Sequence, residues 1–308
     1  MSELYPKLEY FLAASQLVLA MLGMGATLAP RDFLALAKSP RALLFGVVIQ
    51  LIVIPPVALL AATLLELPPE VTVGLVLVAA MPGGAMSNIF TFLGRGNSAL
   101  SIAMTTTSTL VCLLTTPLVL HIFAARYLPS TVSMPAGEIV VEILWSLLLP
   151  LGIGMLLSRK LGGFRERFTK ICIQLSLLFL SLMVVGSLAS GRIHITAYGL
   201  WVPVGIVTFC VLAQILSMGL AWLVRLSDPD NLAIGIEVTL RNMNLALLLK
   251  ASLFPIVVGG DNRLTDAVLF VILYYGGTSL WVILLPLIRH RNGRSLFPWV
   301  PRRPEVPM

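Results

Sequence analysis

The sequence predicts an all-α membrane protein with nine transmembrane helices, and three observations support this fold class. First, 58% of the 308 residues are hydrophobic and only 11% are charged, whereas about 25% of the residues in a soluble domain are charged. Second, apolar runs of about 18 residues or more recur along the chain and are apolar on all sides. Third, two of these runs are interrupted near their middle, as discontinuous membrane helices are.

The nine predicted spans are separated by short connections that carry Pro, Gly or charge. The spans cover residues 10–28, 42–64, 71–93, 99–124, 137–158, 170–190, 197–224, 231–254 and 264–288. Because no connection is long enough for a soluble domain, we expect one membrane domain over residues 1–308, with a basic tail at 289–308. The N-terminal segment carries two glutamates and no small-residue cleavage site, so it does not resemble a removed signal peptide.

The distribution of Lys and Arg predicts the orientation of the chain. If the N-terminus is outside and the C-terminus cytoplasmic, the outside segments hold only Lys7, Arg126, Arg192 and Arg263. The net charge of +7 then reflects topology, and no nucleic-acid partner is expected. Two cations fall within the eighth span. Lys250 is near its outer end and can snorkel to the interface, but Arg241 is too deep to do so.

The third and eighth spans are predicted to be broken. In the third span, Pro82 lacks a backbone donor and two glycines follow it, so the freed backbone groups need partners within the protein. Each of the two spans begins with a proline six residues before a glycine, Pro68 to Gly74 and Pro229 to Gly235, and the two enter from opposite sides. This pattern indicates an inverted repeat whose broken helices cross near the middle of the membrane.

Ionisable residues lie at the second break. Glu237 and Arg241 are four residues apart, so on a continuous helix they would lie one turn apart and form an ion pair. An unpaired charge at the bilayer centre costs at least about 2.5–3.5 kcal/mol, and ionisable groups there usually serve a function. We therefore favour an ion or substrate site over a purely structural pair.

Hard oxygen ligands accumulate around the same breaks. The predicted set is Ser87, Asn88, Ser101, Thr105 and Glu237. Oxygen ligands with one negative charge suit Na⁺ better than a transition metal, because no His or Cys converges there. The three histidines lie near span ends, and hydrolase, zinc-protease and P-loop motifs are absent from the sequence, so no enzyme is predicted.

The chain resembles the bile acid:sodium symporter family over nearly its whole length. The stretches that carry the resemblance are LGMGATLAPRDF (22–33), MPGGAMSNIFTFLGRGNSALSIAMTTTSTL (81–110) and EVTLRN (237–242). The resemblance implies a panel domain at 10–28 and 137–190, and a core domain with two crossing discontinuous helices at 42–124 and 197–288. It also implies a first sodium site at the five oxygen ligands, and a location in the inner (plasma) membrane of a bacterium.

A second sodium site is expected from the resemblance at Gln50, Glu237, the backbone carbonyls of Val238 and Leu240, and a glutamine that is Arg241 here. A guanidinium stays protonated and has no acceptor, so it cannot bind Na⁺ as a ligand. The hypothesis is that Arg241 replaces the second sodium as a fixed cation between Gln50 and Glu237.

Substrate is expected at the crossover, where helix N-termini offer backbone donors and a positive dipole to a carboxylate. The predicted substrate residues are Gly84, Ala85, Met86, Asn242, Tyr275 and Gly276. The family commonly has threonine at Ala85, and bacterial relatives have His-Asn at Tyr275-Gly276. Both departures weaken the case for a bile acid as the substrate.

Together these features predict sodium-coupled symport of a small organic anion, a carboxylate, by alternating access with one Na⁺. One alternative is a proton-coupled or uncoupled carrier in which Arg241 binds the substrate carboxylate and Glu237 takes the proton. A membrane sensor or a membrane enzyme is a third, remote alternative. The other expected partner is membrane lipid. The sequence leaves the oligomeric state open, with a monomer favoured.

Overall fold

The computed structural model describes residues 4–28, 40–129, 132, 135–192 and 198–296, and nearly all of these are helical. The helices are α1 (Leu4–Thr27), α2 (Pro40–Leu64), α3 (Pro69–Ala80), α4 (Ala85–Leu93), α5 (Ser98–Val119), α6 (136–161), α7 (Arg165–Ala189), α8 (Trp201–Leu223), α9 (Asp228–Thr239), α10 (Met243–Leu253), α11 (Arg263–Val282) and α12 (Leu284–Arg291). Positions 29–33 of the first family-like stretch, and the basic tail from residue 297, lie outside the described residues.

Six helical stretches in the described part of the chain are long and apolar enough to cross a membrane. They are Lys7–Thr27, Pro40–Leu64, Ser98–Tyr127, Ala136–Ala189, Trp201–Leu223 and Arg263–Arg291. Their outer faces carry large exposed apolar side chains, among them Phe11, Leu114 and Trp145. The predicted all-helical fold is therefore confirmed for the described residues, and these helices are consistent with the membrane protein that the composition predicts.

Three of the long helical stretches include a π turn close to a proline, either within a helix or directly after it. The turns are Ile49–Val53 in α2, Leu120–Ala124 after α5 and Leu144–Leu148 in α6, and the prolines are Pro55, Pro117 and Pro150. Proline removes one donor from the helical ladder, and a π turn shifts the register around that gap. The turn in α2 includes Gln50, which bears on the candidate site.

The third and eighth predicted spans are each two shorter helices separated by an extended break. The first break lies between α3 and α4, and the second between α9 and α10. Met81 is extended, with φ −73° and ψ 145°, because the proline that follows it disfavours a helical conformation. Beyond the second break, the side chain of Asn242 caps α10 by accepting a hydrogen bond from Leu245 N at 3.1 Å.

The two breaks cross and bond to each other through their backbones. Gly84 N donates to Leu240 O at 3.2 Å, and Asn242 N donates to Pro82 O at 2.9 Å. An isolated antiparallel bridge pairs Gly83 with Arg241. The backbone groups left unpaired at one break are thus hydrogen-bonded by the backbone of the other break. Lipid could not supply these hydrogen bonds.

The crossing helices form the buried centre of the molecule. Every residue of 71–80 in α3 and of 231–242 around the end of α9 is buried. To one side, α1 packs against α6 and α7, and its inner face also contacts α10. Side chains that project from the crossing breaks therefore lie within protein, away from lipid.

Candidate functional site

The carboxylate of Glu237 lies at the centre of a cluster of oxygen atoms. Glu237 is fully buried in the last turn of α9 and accepts hydrogen bonds from Ser87, from Ser101 at 3.0 Å and from Thr105 at 2.5 Å. The Oδ1 atom of Asn88 lies 2.8 Å from Ser101 Oγ and 3.3 Å from Thr105 Oγ1. The structure therefore brings together all five residues for which the sequence predicts a sodium site.

Three elements position this oxygen cluster. Ser87 and Asn88 lie in the first turn of α4, directly after the first break, and Ser101 and Thr105 share one face of α5. Glu237 reaches them across the backbone at residue 83, where a Cβ atom would overlap its Oε1 atom. Only glycine at this position lets the carboxylate approach the break so closely.

The chemistry of the cluster fits a monovalent cation. Its members offer hydroxyl, amide and carboxylate oxygens, which are the hard ligands that alkali and alkaline-earth cations prefer. Glu237 contributes the single formal charge and takes part in none of the ion pairs found among the described residues. Within the cluster itself, one Na⁺ would match that charge, whereas a divalent ion would exceed it.

The expected ion pair between Glu237 and Arg241 is not formed. Helix α9 ends at Thr239, and residues 240–242 are extended, so the four-residue spacing no longer places the two side chains one turn apart. Arg241 Nη1 instead donates to Gln50 O at 3.1 Å and to Met81 O at 2.9 Å. The expectation failed because it treated residues 237–241 as one helical turn, although the break predicted for the eighth span falls within that stretch.

The residues of the predicted second sodium site lie around Arg241. Gln50 is fully buried in the π turn of α2, and neither atom of its side-chain amide has a hydrogen-bond partner. The contact between Arg241 and Gln50 runs through the backbone carbonyl, as described above. Val238 is buried, and the carbonyl of Leu240 already accepts a hydrogen bond from Gly84 N. Arg241 thus lies beside Gln50, and its buried Nε and Nη2 atoms form no hydrogen bond with any described residue.

The predicted substrate residues at the breaks differ in exposure. Gly84 is buried in the crossover and Asn242 is 5% exposed, whereas Ala85 and Met86 at the start of α4 are exposed. The first turn of α4 is therefore the accessible part of this set, with Asn242 beneath it.

The other two predicted substrate residues lie in α11. Tyr275 is fully buried, and its hydroxyl donates to Thr239 O at 3.0 Å, so it supports the end of α9. Gly276 is half-buried, and a Cβ atom there would lie 3.4 Å from Met243 Cγ. Of the pair, Gly276 is the one placed at the partly open surface beside α10.

Comparison with known proteins decides the family. The sequence profile described as Sodium Bile acid symporter family matches residues 14–197. The chain belongs to this family. Sodium bile acid symporter family proteins are sodium-dependent transporters, so this chain is an integral membrane protein of a sodium-coupled transporter family.

Relatives of this symporter-family chain come from bacteria, plants and animals. It is 34% identical over 237 residues to the "Uncharacterized sodium-dependent transporter YocS" of Bacillus subtilis (strain 168). This alignment covers 76% of this chain and 72% of the relative. It is 28% identical over 264 residues to the "Probable sodium/metabolite cotransporter BASS2, chloroplastic" of Oryza sativa subsp. japonica. This alignment covers 85% of this chain and 61% of the relative. Identity to the "Sodium/bile acid cotransporter 4" of Mus musculus is 31% over 166 residues, 53% of this chain and 38% of the relative.

Two contacts of α1 with α10, in the second half of the eighth predicted span, were not expected from the sequence. Lys250 does not snorkel: it is fully buried, and its Nζ atom lies 2.6 Å from Glu9 Oε1. Gln16 donates through Nε2 to Asn244 Oδ1 at 2.5 Å. Glu9 and Gln16 are seven residues apart and share one face of α1, so their spacing was the available signal.

A second buried ion pair lies near the first. Arg192, which the orientation argument places in an outside segment, is only 8% exposed, and it lies 2.5 Å from Asp266 at the start of α11. Glu9 and Arg192 come from α1 and the end of α7, whereas Lys250 and Asp266 come from α10 and α11. Both pairs thus connect the α1–α6–α7 group with the rest of the molecule.

Proposed function

We propose that this protein is a secondary transporter that moves a small organic anion, a carboxylate, together with one Na⁺ by alternating access. The proposed sodium ligands are Ser87, Asn88, Ser101, Thr105 and Glu237. The observation that carries the proposal is the buried oxygen cluster around Glu237, whose carboxylate forms no ion pair with any described residue. Membership of a sodium-dependent transporter family supports it.

The proposed architecture has nine spans, with the third and eighth discontinuous and related as an inverted repeat. Residues 10–28 and 137–190 would form the panel domain, and 42–124 and 197–288 the core domain. The packing of α1 on α6 and α7 supports this division. We place the protein as a monomer in the inner membrane of a bacterium, the location that the family resemblance implies. The Lys and Arg distribution supports an orientation with the N-terminus outside and the C-terminus in the cytoplasm.

Arg241 is proposed to replace the second sodium of the family as a fixed cation. Its guanidinium lies beside Gln50, bonds to the carbonyls of Gln50 and Met81, and cannot dissociate as a sodium ion would. We place the substrate at the crossover, beside the exposed first turn of α4 and beside Asn242 and Gly276. The helix N-termini there favour an anion.

One observation keeps a second candidate function in view. Among the described residues, Arg241 Nε and Nη2 have no hydrogen-bond partner, and Arg241 forms no ion pair with a carboxylate. In a proton-coupled or uncoupled carrier, these two donors would bind the substrate carboxylate, and Glu237 would carry the proton. The two functions differ in whether transport and binding depend on Na⁺.

The sodium site can be tested by the thermal stability of the purified protein in NaCl against KCl. A ligand that binds only the native state raises the melting temperature with its concentration. We expect stabilisation by Na⁺ in the wild type and its loss in Thr105→Val. Thr106→Val is the matched control, because the Thr106 hydroxyl bonds to Ile102 O within α5 and lies outside the oxygen cluster. A Na⁺ response of wild-type size in Thr105→Val would refute the site.

The role of Arg241 can be tested by the sodium dependence of the same response. With one sodium site, the free energy of stabilisation should rise with ln[Na⁺] at a limiting slope of one RT, a coefficient near one, and Arg241→Gln should make the slope steeper by restoring the family ligand. A wild-type coefficient near two would refute the fixed-cation role. Stabilisation that is identical in NaCl and KCl would favour the proton-coupled or uncoupled carrier.

A further inference from the structure

Apart from Asp228, the first residue of α9, the buried charges of the described residues form neutral combinations before any ligand binds. Glu9 and Lys250 form one neutral pair, and Arg192 and Asp266 form another. Both pairs lie within 2.6 Å and are mostly or fully buried, so neither contributes net charge to the interior. Any net charge at the centre of the molecule must therefore come from the crossover.

At the crossover, the charged side chains are Glu237 and Arg241, which together are neutral although they do not touch. Asp228, another buried carboxylate, is the first residue of α9. It is nine residues before Glu237, about 14 Å along the helix at 1.5 Å per residue, and so belongs to the end of the span. An empty transporter thus has a crossover without net charge.

We infer that the transported unit is one Na⁺ with one monovalent organic anion, and that the complete cycle moves no net charge. This inference rests on the proposed function. One Na⁺ bound at Glu237 gives the crossover a charge of plus one, and a monocarboxylate returns it to zero. A dicarboxylate would leave it at minus one. The substrate class is therefore a monocarboxylate or another monoanion.

The same charge count explains why sodium and substrate move together. The empty form and the form with both ligands are neutral, whereas a form with only Na⁺ or only the anion carries an uncompensated charge in the membrane interior. Such a charge is costly at that depth. The transporter with only one ligand bound therefore changes less readily between its outward-open and inward-open states. The charge of Arg241 is what makes one Na⁺ and one monoanion the neutral load. Without its charge, neutrality of the loaded form would require a second Na⁺.

The test uses the full-length protein in liposomes and measures steady-state accumulation of ²²Na⁺ with external anions. K⁺ and valinomycin set the membrane potential to zero or to 100 mV negative inside. The probes are the monocarboxylates acetate, lactate, pyruvate and benzoate, and the dicarboxylates succinate and glutarate. A net charge of one per cycle at 100 mV corresponds to about 2.3 kcal/mol, or about a 50-fold change in the product of the transmembrane concentration ratios of all the ions moved in that cycle.

We expect at least one monocarboxylate to raise ²²Na⁺ accumulation, equally at both potentials, and the dicarboxylates to have no effect. Greater accumulation at the negative potential would overturn the electroneutral cycle but leave sodium-coupled transport standing. Transport of a radiolabelled monocarboxylate that is equal in Na⁺ and K⁺ would overturn the proposed function itself. Failure of every monocarboxylate to stimulate ²²Na⁺ accumulation would overturn the substrate class.

Two variants connect the result with Arg241. Arg241→Lys keeps the charge, and we expect uptake in it to remain independent of potential. Arg241→Gln removes the charge, and we expect its uptake to need a second Na⁺ and to be greater at the negative potential, by up to about 50-fold in the product of the concentration ratios. Equal potential dependence in the two folded variants would overturn the assignment to Arg241, and size-exclusion chromatography checks that both are folded.

Discussion

The ion pair between Glu9 and Lys250 offers a quantitative test of the packing of α1 against α10. The two atoms lie 2.6 Å apart, and the side chains are 2% and 0% exposed. Removing one partner of a buried pair leaves the other charge buried and unpaired, which typically costs about 3–5 kcal/mol. Replacing both partners by groups without charge removes that penalty. We therefore expect Glu9→Gln and Lys250→Met each to lower the free energy of unfolding by about 3–5 kcal/mol, and the double variant to lie close to the wild type.

The measurement is reversible unfolding in dodecyl maltoside with increasing sodium dodecyl sulfate, followed by the fluorescence of the five tryptophans. The four proteins of the double-mutant cycle give the coupling energy between the two positions. Asp261 and Arg263 provide a matched control, since they are 3.8 Å apart and 73% and 85% exposed. Exposed pairs contribute little, so Asp261→Asn should leave the unfolding curve unchanged.

Additive effects would refute this reasoning. If the double variant is destabilised by the sum of the two single variants, the side chains do not interact in the folded protein. Single variants with wild-type stability would show that water or lipid headgroups reach Glu9 and Lys250, contrary to their burial.

Two further predictions concern the breaks. Gly83→Ala should abolish stabilisation by Na⁺, because its methyl group would overlap Glu237 Oε1; Gly277→Ala, which has open space around its Cβ, should keep it. A normal Na⁺ response in Gly83→Ala, measured by thermal shift, would contradict the placement of Glu237. Asn242→Ala removes the cap on Leu245 N and should cost about 1 kcal/mol of unfolding free energy together with sodium-dependent uptake. Asn242→Ser retains a capping oxygen, so recovery of stability without recovery of uptake would separate capping from substrate binding.

The oxygen cluster could be predicted from the sequence because its signals are local. Ser101 and Thr105 are four apart on an uninterrupted helix, so their shared face follows from helical geometry. Pro82 ends the first half of the third span, and Ser87 lies in the first turn of the helix that begins after the break. The structure shows these residues in contact with Glu237, although sodium binding there remains a prediction.

The contacts of the cations could not be predicted in the same way. The second break has no proline, so the four-residue spacing of Glu237 and Arg241 suggested a continuous turn that the structure lacks. The partner of Lys250 is Glu9, which is 241 residues away in the chain, and such a pairing depends on the packing of distant helices. Hydropathy alone places Lys250 near a span end, and only the tertiary structure shows that α1 covers it.

The backbone bridge at the crossover has a consequence for how the chain is assembled during synthesis. The first break is translated and can enter the membrane long before residues 240–242 exist, so Gly84 N–H and Pro82 C=O initially lack the partners they have in the folded protein. Each unsatisfied group costs several kcal/mol in hydrocarbon. Until the second break arrives, these groups must be held by water, by the insertion machinery or by temporary contacts. Chains shortened before residue 240 should consequently stay bound to insertion factors, whereas chains that include α10 should be released.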